Sequence, residues 1–308
     1  MDKSPALLDQ LIAAGHLIPM GVDGLYGKSG AFERVLDQLD RLITRSGVAQ
    51  NAEVMRFPPA LSQPVFEQSH YLKAFPHFAG TIHCFCGNEK DHRRLLACVD
   101  EGKDWTGGQQ ASGIVLTPAA CYPSYKVIAD RGPLGPDGVT LDLLSYCFRH
   151  EPSLEPTRMQ FFRIREYVRM GTPAQVLAFR ADWLEAGRRM IESLELPFEI
   201  DVANDPFFGR AGKIMAANQR ELQLKFELLV PVNSVAEPTA CLSFNYHTDH
   251  FGTLWDLRTS DGAVAHTACI GWGMERLVIA LMKHHGFDPT RWPASVRAVL
   301  EPAALGGA

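Results

Sequence analysis

The stretch CFRHEPSLEPTRMQFFRIRE, from Cys147 to Glu166, constrains the fold and function of this chain more than any other segment. Arg149 and Glu151 lie two residues apart in it, a proline-containing turn follows at residues 152–156, and the run RMQFFRIRE comes after the turn. Because successive side chains of a strand point to opposite faces, this pattern predicts a β-hairpin with Arg149 and Glu151 on one face of its first strand.

One face of the second predicted strand carries every second residue of RMQFFRIRE. These residues are Arg158, Gln160, Phe162, Ile164 and Glu166. Together with the first strand, this face presents guanidinium groups, carboxylates and an aromatic ring. Arginine makes planar, bidentate contacts with phosphate, and the phenylalanine ring offers a surface on which a base can stack. The pattern therefore predicts a nucleotide site. A charged hairpin that only faces solvent is the alternative that the pattern leaves open.

Composition places the chain among ordinary globular proteins. Its 308 residues can bury a substantial core, and 46% of them are hydrophobic and 21% charged. The formal net charge is −5, which is not the charge of a basic surface built for nucleic acid. No segment has the length of a membrane span, the amino terminus lacks a signal-peptide pattern, and the seven scattered cysteines do not indicate a disulfide framework. We expect a cytoplasmic protein that does not interact with membranes.

The first part of the chain is predicted to contain two helices and a short strand. Residues 4–18 have the pattern of a short amphipathic helix, and residues 31–45 carry the i, i+3, i+4 apolar stripe of a second helix. A short strand follows around residues 54–57 and leads into Pro58. This order of helix, strand and proline contributes to the resemblance described below.

The rest of the chain is predicted as strands with helices between and around them. An apolar strand is expected at residues 113–122, a loop rich in Gly and Pro at 123–140, and a further strand at TLWDLRT, residues 253–259. A strand ending at Cys269 leads into a long apolar helix that Gly286 closes. Because the strands are not separated by regular crossover helices, an α+β fold is favoured over a Rossmann-type sheet.

Three segments resemble the signature motifs of class II aminoacyl-tRNA synthetases. GWGMER, residues 271–276, opens a helix after a strand and resembles motif 3, the hairpin with FRHE at residues 148–151 resembles motif 2, and the segment ending at Pro58 resembles motif 1. The likeness is greatest to seryl-tRNA synthetase, which carries Arg-x-His-Gln-Phe-x-Lys-x-Glu where this chain has RMQFFRIRE. The resemblance covers about residues 30–285. It implies an α+β, class II synthetase-like antiparallel sheet flanked by helices, in a single catalytic domain over residues 1–308.

Three departures from seryl-tRNA synthetase narrow this resemblance. The chain has no segment for the coiled-coil arm that grips tRNA, Cys121 stands where the serine-binding loop has Glu, and Cys269 lies just before motif 3. If the fold holds, Cys121, Glu166 and Cys269 converge on the amino-acid pocket and leave one position open on a tetrahedral metal. This resembles the zinc-dependent seryl-tRNA synthetases of methanogens, and thiolates favour zinc. Taken singly, each cysteine also fits a small buried residue.

Together, the departures resemble the amino acid–carrier protein ligases, a family of truncated, zinc-dependent relatives of seryl-tRNA synthetase. That resemblance implies ATP-dependent activation of a small amino acid, glycine or alanine, to its adenylate and transfer to the phosphopantetheine thiol of a carrier protein. It implies one zinc ion per subunit, magnesium with ATP, a homodimer formed through motif 1, and no tRNA partner. Two other hypotheses stay open, namely a tRNA-charging enzyme without an arm of its own and a non-catalytic, synthetase-like regulator.

The resemblance also assigns roles at the nucleotide. Arg149 corresponds to the family's ligand of the α-phosphate and Arg276 to its ligand of the γ-phosphate, while Arg158 assists at the triphosphate. Phe162 would stack on one face of adenine and the stem of Arg276 on the other. Glu151 would accept a hydrogen bond from the adenine amino group. Such catalysis relies on positioning and electrostatic stabilisation and needs no protein nucleophile.

Two further assignments concern magnesium and the carrier protein. Glu237, in EPTAC, corresponds to the family's metal-binding Glu, although Ala240 stands where a Ser is expected. The segment near residues 207–225 is predicted to be a helical insert that docks the carrier protein, because carrier proteins are usually acidic and this segment is cationic. Its cations are Arg210, Lys213, Arg220 and Lys225. A solvated helix face is the alternative.

Overall fold

The computed structural model describes residues 6–302, which fold around one large sheet. The strands, in chain order, are β1 (Leu17–Pro19), β2 (Tyr26–Lys28), β3 (Glu53–Met55), β4 (Ala60–Ser62), β5 (Thr81–Phe85), β6 (Gln109–Leu116), β7 (Val139–Phe148), β8 (Phe161–Gly171), β9 (Glu199–Val202), β10 (Lys225–Val230), β11 (Thr239–Tyr246) and β12 (His266–Gly273). The helices are α1 (Leu7–Ala13), α2 (Gly30–Gly47), α3 (Gln63–Gln68), α4 (Tyr71–Ala74), α5 (Glu89–Asp100), α6 (Tyr122–Ala129), α7 (Pro173–Ser193), α8 (Gly209–Glu221), α9 (His250–Trp255), α10 (Met274–His285) and α11 (Ala294–Leu300).

The large sheet has the strand order β3-β7-β8-β12-β11-β10-β9. Neighbouring strands are antiparallel except β3 and β7, which run parallel. This confirms the predicted α+β class and the antiparallel sheet flanked by helices. The order also places β8, β12 and β11 side by side, with Glu166 opposite Gly271 and Cys269 opposite Asn245. Residues far apart in the sequence therefore meet at the centre of the sheet.

Helix α2 covers this sheet together with α10 and α11. Ser29 caps α2 by accepting a hydrogen bond from the backbone N–H of Phe32 at 3.1 Å. The apolar stripe predicted for this helix is buried, for example at Leu39 and Ile43, in the same core as Tyr167 of β8. Polar side chains at other positions of α2 form ion pairs with side chains of the sheet, as described below.

The predicted hairpin forms as β7 and β8, but its connection is longer than the sequence pattern indicates. The strands end at Phe148 and resume at Phe161, so the turn predicted at 152–156 is the middle of a loop over residues 149–160. The backbone hydrogen bonds that hold this loop include those from Arg149 N–H to the carbonyl of Gln160 at 3.0 Å and from Gln160 N–H to the carbonyl of Gly24 at 2.8 Å. Arg149, Glu151 and Arg158 therefore reach their places from a loop and not from a strand.

Other local predictions were wrong in ways that matter for the site. The strand predicted at 113–122 ends at Leu116, and the loop predicted at 123–140 contains α6. Pro123 suits the first turn of this helix, and its apolar face buries Tyr125 and Ile128. Cys121 consequently stands directly before a helix.

Two further element predictions need correction. The segment predicted as a strand at 253–259 lies partly in α9, because Phe251 and Trp255, four residues apart, bury one helical face. The helix predicted at 4–18 is confined to α1 and is followed by β1, and residues 4 and 5 lie outside the described part of the chain. A membrane-spanning helix is not found between residues 6 and 302.

Candidate active site

A cavity of about 670 Å³ lies against the central sheet and contains most of the predicted site residues. Alternate side chains of β8 point into it, from Phe162 through Ile164 to Glu166. Strands β11 and β12, helices α4 and α8, and residues 205–207 complete its walls. The predicted residues that line it are Cys121, Arg149, Glu151, Arg158, Phe162, Glu166, Lys225, Cys269 and Arg276.

At one end of the cavity, Cys121, Glu166 and Cys269 come together; we call this the metal end. Their ligand atoms all lie within 4.8 Å of one another, and their side chains are buried. Each comes from a different element: Cys121 directly precedes α6, Glu166 lies on β8 and Cys269 lies on the neighbouring β12. The convergence expected from the sequence is thus present in the fold.

The charges at the metal end are unbalanced in the absence of a cation. Burial, followed by the nearby Cys269 sulfur, raises the pKa of Glu166 to about 8. The pKa of Cys269 is held well below its usual value, first by a hydrogen bond from the Cys121 thiol, whereas that same bond raises the pKa of Cys121. Negative charge on all three buried groups at once is therefore disfavoured.

The donor set at the metal end fits a zinc ion. Within the described residues, the Oε2 atom of Glu166 is buried and makes no hydrogen bond. Such a polar atom is costly unless a partner is supplied. Two thiolates and one carboxylate are ligands that zinc accepts in a site with an open position. The Tyr125 hydroxyl is also buried there without a hydrogen-bond partner, within electrostatic reach of Cys121.

Two side chains that the sequence did not single out contact Cys269. The amide Nδ2 of Asn245 lies 3.3 Å and the Nε2 of His247 lies 3.5 Å from its Sγ atom. His247 is oriented by Thr267, whose hydroxyl oxygen is 2.9 Å from its Nδ1 atom. Asn245 is the cross-strand neighbour of Cys269 in the β11–β12 pair, so only the strand register could have identified it.

The other end of the cavity, which we call the nucleotide end, is lined by Arg149, Arg158, Phe162 and Arg276. The Arg149 guanidinium lies 5.4 Å from the centre of the Phe162 ring, and its Nε atom donates to the carbonyl of Pro118 at 3.2 Å. Arg276 donates to the carbonyls of Thr157 and Ala240, both at 2.9 Å. Burial lowers the pKa of Arg276. Backbone carbonyls thus fix two guanidinium groups that face one cavity.

Arg158 and Glu151 also line the nucleotide end, but they pair with each other. Arg158 donates to Glu151 at 2.7 Å and to Glu155 at 2.8 Å, and all three side chains are partly exposed. Such a pair contributes little to stability. Glu151 and Arg158 can therefore exchange partners at little cost.

Two predicted residues lie away from their predicted places. Glu237 is exposed, precedes β11 and is not among the residues that line the cavity. The cavity carboxylate on the neighbouring strand is Glu227 of β10, which lies within electrostatic reach of Arg276. Glu227 was not predicted, because no motif marks it.

Lys225 is the second such residue, since it does not belong to the docking surface predicted for it. It begins β10 after α8 has ended, it is only 8% exposed, and its Nζ atom contacts Asp205 at 2.5 Å and Glu227 at 3.1 Å. Burial acts to raise the pKa of Asp205, but the Lys225 ammonium, the Gln219 amide and the Arg149 guanidinium together hold it below its usual value. Lys225 is an internal cation of the cavity wall, and α8 retains Arg210, Lys213 and Arg220 on its exposed surface.

Comparisons with known proteins agree with this geometry. The chain is 44% identical over 314 residues to "Amino acid--[acyl-carrier-protein] ligase 1" of Bradyrhizobium diazoefficiens, which covers 100% of this chain and 95% of that protein. It is also 44% identical over 301 residues to "Amino acid--[acyl-carrier-protein] ligase 2" of the same organism, covering 97% of this chain and 90% of the relative. No protein-family model matches the chain.

A solved structure supports the fold. The seryl-tRNA synthetase of Methanopyrus kandleri, crystallised with a tRNA from A. aeolicus, superposes with a TM-score of 0.81 at 21% identity. The match covers 98% of this chain and 63% of that chain. At this identity the likeness establishes a shared fold, which is that of the class II synthetase catalytic domain.

Proposed function

The chain belongs to the amino acid–[acyl-carrier-protein] ligases, and we propose that it activates glycine or alanine with ATP and transfers it to the phosphopantetheine thiol of a carrier protein. The observation that carries this proposal is the cavity with two chemically different ends. Side chains on the same face of β8 serve both, with Phe162 at the nucleotide end and Glu166 at the metal end. An amino acid bound at one end would have its carboxylate directed toward a nucleotide at the other.

The arginines of the nucleotide end supply the charge that the first step needs. A substrate carboxylate oxygen attacks the α-phosphorus of ATP, the bond to the β-phosphate breaks, and pyrophosphate leaves. Arg149 would stabilise the charge that develops on the α-phosphate, and Arg276 and Arg158 would bind the departing phosphates. Because Arg149 and Arg276 are already oriented by backbone carbonyls, little reorganisation accompanies the reaction.

The adenine would lie between Phe162 and Arg276 at this end of the cavity. The Phe162 ring offers one face, and the hydrocarbon stem of Arg276 covers the other. Glu151 would accept from the adenine amino group after releasing Arg158. Magnesium would enter with the phosphates, since hard cations prefer oxygen ligands, and Glu227 is the carboxylate that lines the cavity near Arg276.

The metal end would select and hold the amino group of the substrate. Cys121, Glu166 and Cys269 would hold a zinc ion, which acts as a Lewis acid toward the α-amino group. Asn245 donates toward the Cys269 sulfur, His247 lies beside it, and both lower the pKa of Cys269, which favours its thiolate form. Burial of all three ligands excludes water from this end.

The same end supports a small substrate. Phe251 lines the cavity and is backed by Tyr125, whose ring centre lies 4.1 Å away in a stacked arrangement, so a rigid aromatic group bounds this part of the cavity. A pocket separates two substrates that differ by one methyl group by only about 1–3 kcal/mol, so glycine and alanine are both proposed.

The second step transfers the amino acid from the adenylate to a thiol. The thiol sulfur forms a bond with the carbonyl carbon, the bond from that carbon to the AMP oxygen breaks, and the thiol proton passes to solvent. The two relatives named above are acyl-carrier-protein ligases, which supports a carrier protein as the acceptor. A phosphopantetheine arm would present the thiol.

Helix α8 is the proposed docking element for that carrier protein, within a single catalytic domain over residues 1–308. Arg210, Lys213 and Arg220 are exposed on it, and Arg220 forms only a surface pair with Asp201 at 3.2 Å. Ile214 is exposed as well, at 61%. A cationic helix with exposed apolar side chains complements an acidic protein with an apolar patch.

A homodimer formed through the segment that resembles motif 1 completes the proposal. β3 is an edge strand of the central sheet, and Val54 on this strand and Val48 before it are strongly exposed. Exposed edge strands of this kind tend to pair with another chain. Light scattering at several protein concentrations tests the dimer, and a monomer at every concentration would contradict it.

An acceptor competition tests the proposed function. Amino-acid-dependent exchange of pyrophosphate into ATP is measured first with glycine and alanine, and the better substrate is then offered to total tRNA and to a phosphopantetheinylated carrier protein. We expect label on the carrier protein and none on tRNA. Labelled tRNA with unlabelled carrier would refute the proposal in favour of a tRNA-charging enzyme, and no exchange with either amino acid would refute activation of these substrates.

A further inference from the structure

Strand β8 has a second face that carries no substrate-facing group. Phe162, Ile164 and Glu166 point into the cavity, whereas Arg163 and Arg165, which alternate with them, do not line it. Both arginines are nearly inaccessible, with side-chain exposures of 11% and 1%. The proposed reaction does not use these two buried guanidinium groups, so their place behind β8 calls for another explanation.

Arg163 lies on β8 behind the nucleotide end and links this strand to α2 and α10. Its Nη atoms contact both carboxylate oxygens of Glu33 on α2 at 2.6 and 2.8 Å. Its Nε atom and its backbone N–H contact the two oxygens of Glu275 on α10 at 2.9 and 2.7 Å. Arg163 follows Phe162 in the sequence, and Glu275 precedes Arg276. The ion pair between Arg163 and Glu275 thus links the sequence neighbours of Phe162 and Arg276. These are the two side chains that are proposed to enclose adenine.

Arg165 makes the equivalent connection behind the metal end. It contacts Asp142 of β7 at 2.5 Å and Thr44 of α2 at 3.1 Å, and it also donates to Asp40 of α2. Its sequence neighbour on the cavity side is Glu166. Helix α2 therefore contributes Glu33 to one buried arginine and Asp40 to the other.

Stability alone does not explain these buried ion pairs. Desolvation of the charges offsets much of their attraction, and apolar residues of the same volume often stabilise a core as well or better. What paired arginines provide is fixed geometry, since a bidentate contact restrains both partners. Such restraint is useful where a side chain one residue away must be held in place.

We propose that helix α2 positions the two ends of the active site separately, through Glu33 and Arg163 for the nucleotide end and through Asp40 and Arg165 for the metal end. This inference rests on the proposed function, because it takes ATP and zinc as the occupants of the two ends. Glu33 and Asp40 touch neither occupant, so they are positioning residues. Their effect is carried by the two arginines and by the strand between them.

The variants Glu33→Gln and Asp40→Asn form a matched pair for the test. Both residues lie on α2, their side chains are 36% and 30% exposed, and each substitution removes one charge while keeping the shape. Each arginine retains its other carboxylate, Glu275 or Asp142. The full-length protein is used, ATP affinity is measured by titration calorimetry, and zinc affinity is measured by competition with a chromophoric chelator.

We expect Glu33→Gln to weaken ATP binding about three- to tenfold and to leave zinc affinity within about twofold. Asp40→Asn should weaken zinc binding about three- to tenfold and leave ATP affinity within about twofold. If both variants weaken ATP and zinc binding equally, or if both lower the melting temperature and change neither affinity, the ion pairs only support the fold and the inference is overturned. Should either variant fail to fold, Glu33→Asp and Asp40→Glu keep the charge, displace the carboxylate by one methylene group and should show the same pattern with smaller changes.

The readouts also separate this inference from the proposed function. ATP and zinc binding by the unsubstituted protein are measured without any amino acid or carrier protein. Failure of the wild-type protein to bind ATP or zinc would refute the proposed function itself. Normal wild-type binding with no selective effect of the two variants would refute only the role of α2.

Discussion

The two ends of the cavity differ in how far the protein alone satisfies their polar groups. At the nucleotide end, Arg149 and Arg276 already donate to backbone carbonyls. At the metal end, the structure from residue 6 to residue 302 gives Glu166 Oε2 no hydrogen-bond partner, and the neighbouring Cys269 raises the pKa of Cys121. One end is ordered by the protein's own backbone, whereas the other retains a buried carboxylate oxygen that the described residues do not satisfy.

This difference predicts which interactions should depend on the metal. A guanidinium held by backbone carbonyls keeps its orientation whatever occupies the other end, so ATP binding should be independent of zinc. Three acidic ligands in a buried site repel one another until a cation binds, so amino-acid recognition should depend on zinc entirely. The predictions below test this separation, from the largest expected effect to the smallest.

Removing one metal ligand should abolish amino-acid activation and spare the nucleotide. Cys269→Ala is expected to reduce amino-acid-dependent pyrophosphate exchange by about 10²-fold or more, because the site loses a ligand of the Lewis acid. ATP affinity, measured by calorimetry, should stay within about twofold of the wild-type value. Cys147→Ala is the matched control, since Cys147 is equally buried but lies outside the cluster and the cavity. A similar loss of exchange in the control would contradict the assignment.

Removing an arginine should have the opposite selectivity. Arg149→Ala is expected to slow adenylate formation by about 10²-fold, because a preorganised donor to the α-phosphate is lost. Zinc content, measured by elemental analysis, should not change. Arg131→Ala serves as the control, because Arg131 forms an exposed pair with Glu53 away from the cavity. Loss of zinc from the Arg149 variant would show that the two ends are not independent.

The stabilisation that zinc provides should grow with pH. In the metal-free protein the pKa of Glu166 is raised to about 8 from 4.5, so its contribution to stability is present at low pH and is lost as pH rises through about 8. Zinc requires the carboxylate form, so the increase in melting temperature on adding zinc should be larger at about pH 8 than at about pH 6. Thermal denaturation with and without zinc measures this. A larger increase at the lower pH would contradict the assignment.

The smallest expected effect concerns the docking helix. Lys213→Glu should lower kcat/KM for the carrier protein about tenfold and leave pyrophosphate exchange unchanged, because it reverses a charge outside the cavity. Arg93→Glu on α5 is the control, since Arg93 is also exposed. An equal loss in both variants would indicate a general charge effect, and a loss of exchange in the Lys213 variant would place α8 in the chemistry.

Much of the site could be predicted from the sequence because the motifs tie residue types to local structure. Cys269 and Arg276 flank a strand-to-helix junction that GWGMER marks directly. Cys121 was identified by its position relative to the family pattern, although the helix that follows it was missed. The Gly and Pro content of residues 123–140 predicted a loop there, whereas burial of Tyr125 stabilises α6.

Other features could not be predicted because they depend on register and burial. Asn245 contacts Cys269 only because β11 pairs with β12 in that register. Lys225 resembles the other cations of its segment in the sequence, yet the start of β10 turns it inward between Asp205 and Glu227. The β7–β8 connection was predicted too short, because alternation alone does not reveal where strand pairing stops.

Cobalt substitution tests the central claim most directly, because the visible spectrum of Co²⁺ reports changes at its ligands. The protein is loaded with Co²⁺ in place of zinc, and the spectrum is recorded after adding ATP alone and after adding glycine or alanine alone. We predict a four-coordinate spectrum that changes with the amino acid and does not change with ATP. A spectrum that responds to ATP alone, or that ignores both amino acids, would contradict the division of the cavity into a metal end and a nucleotide end.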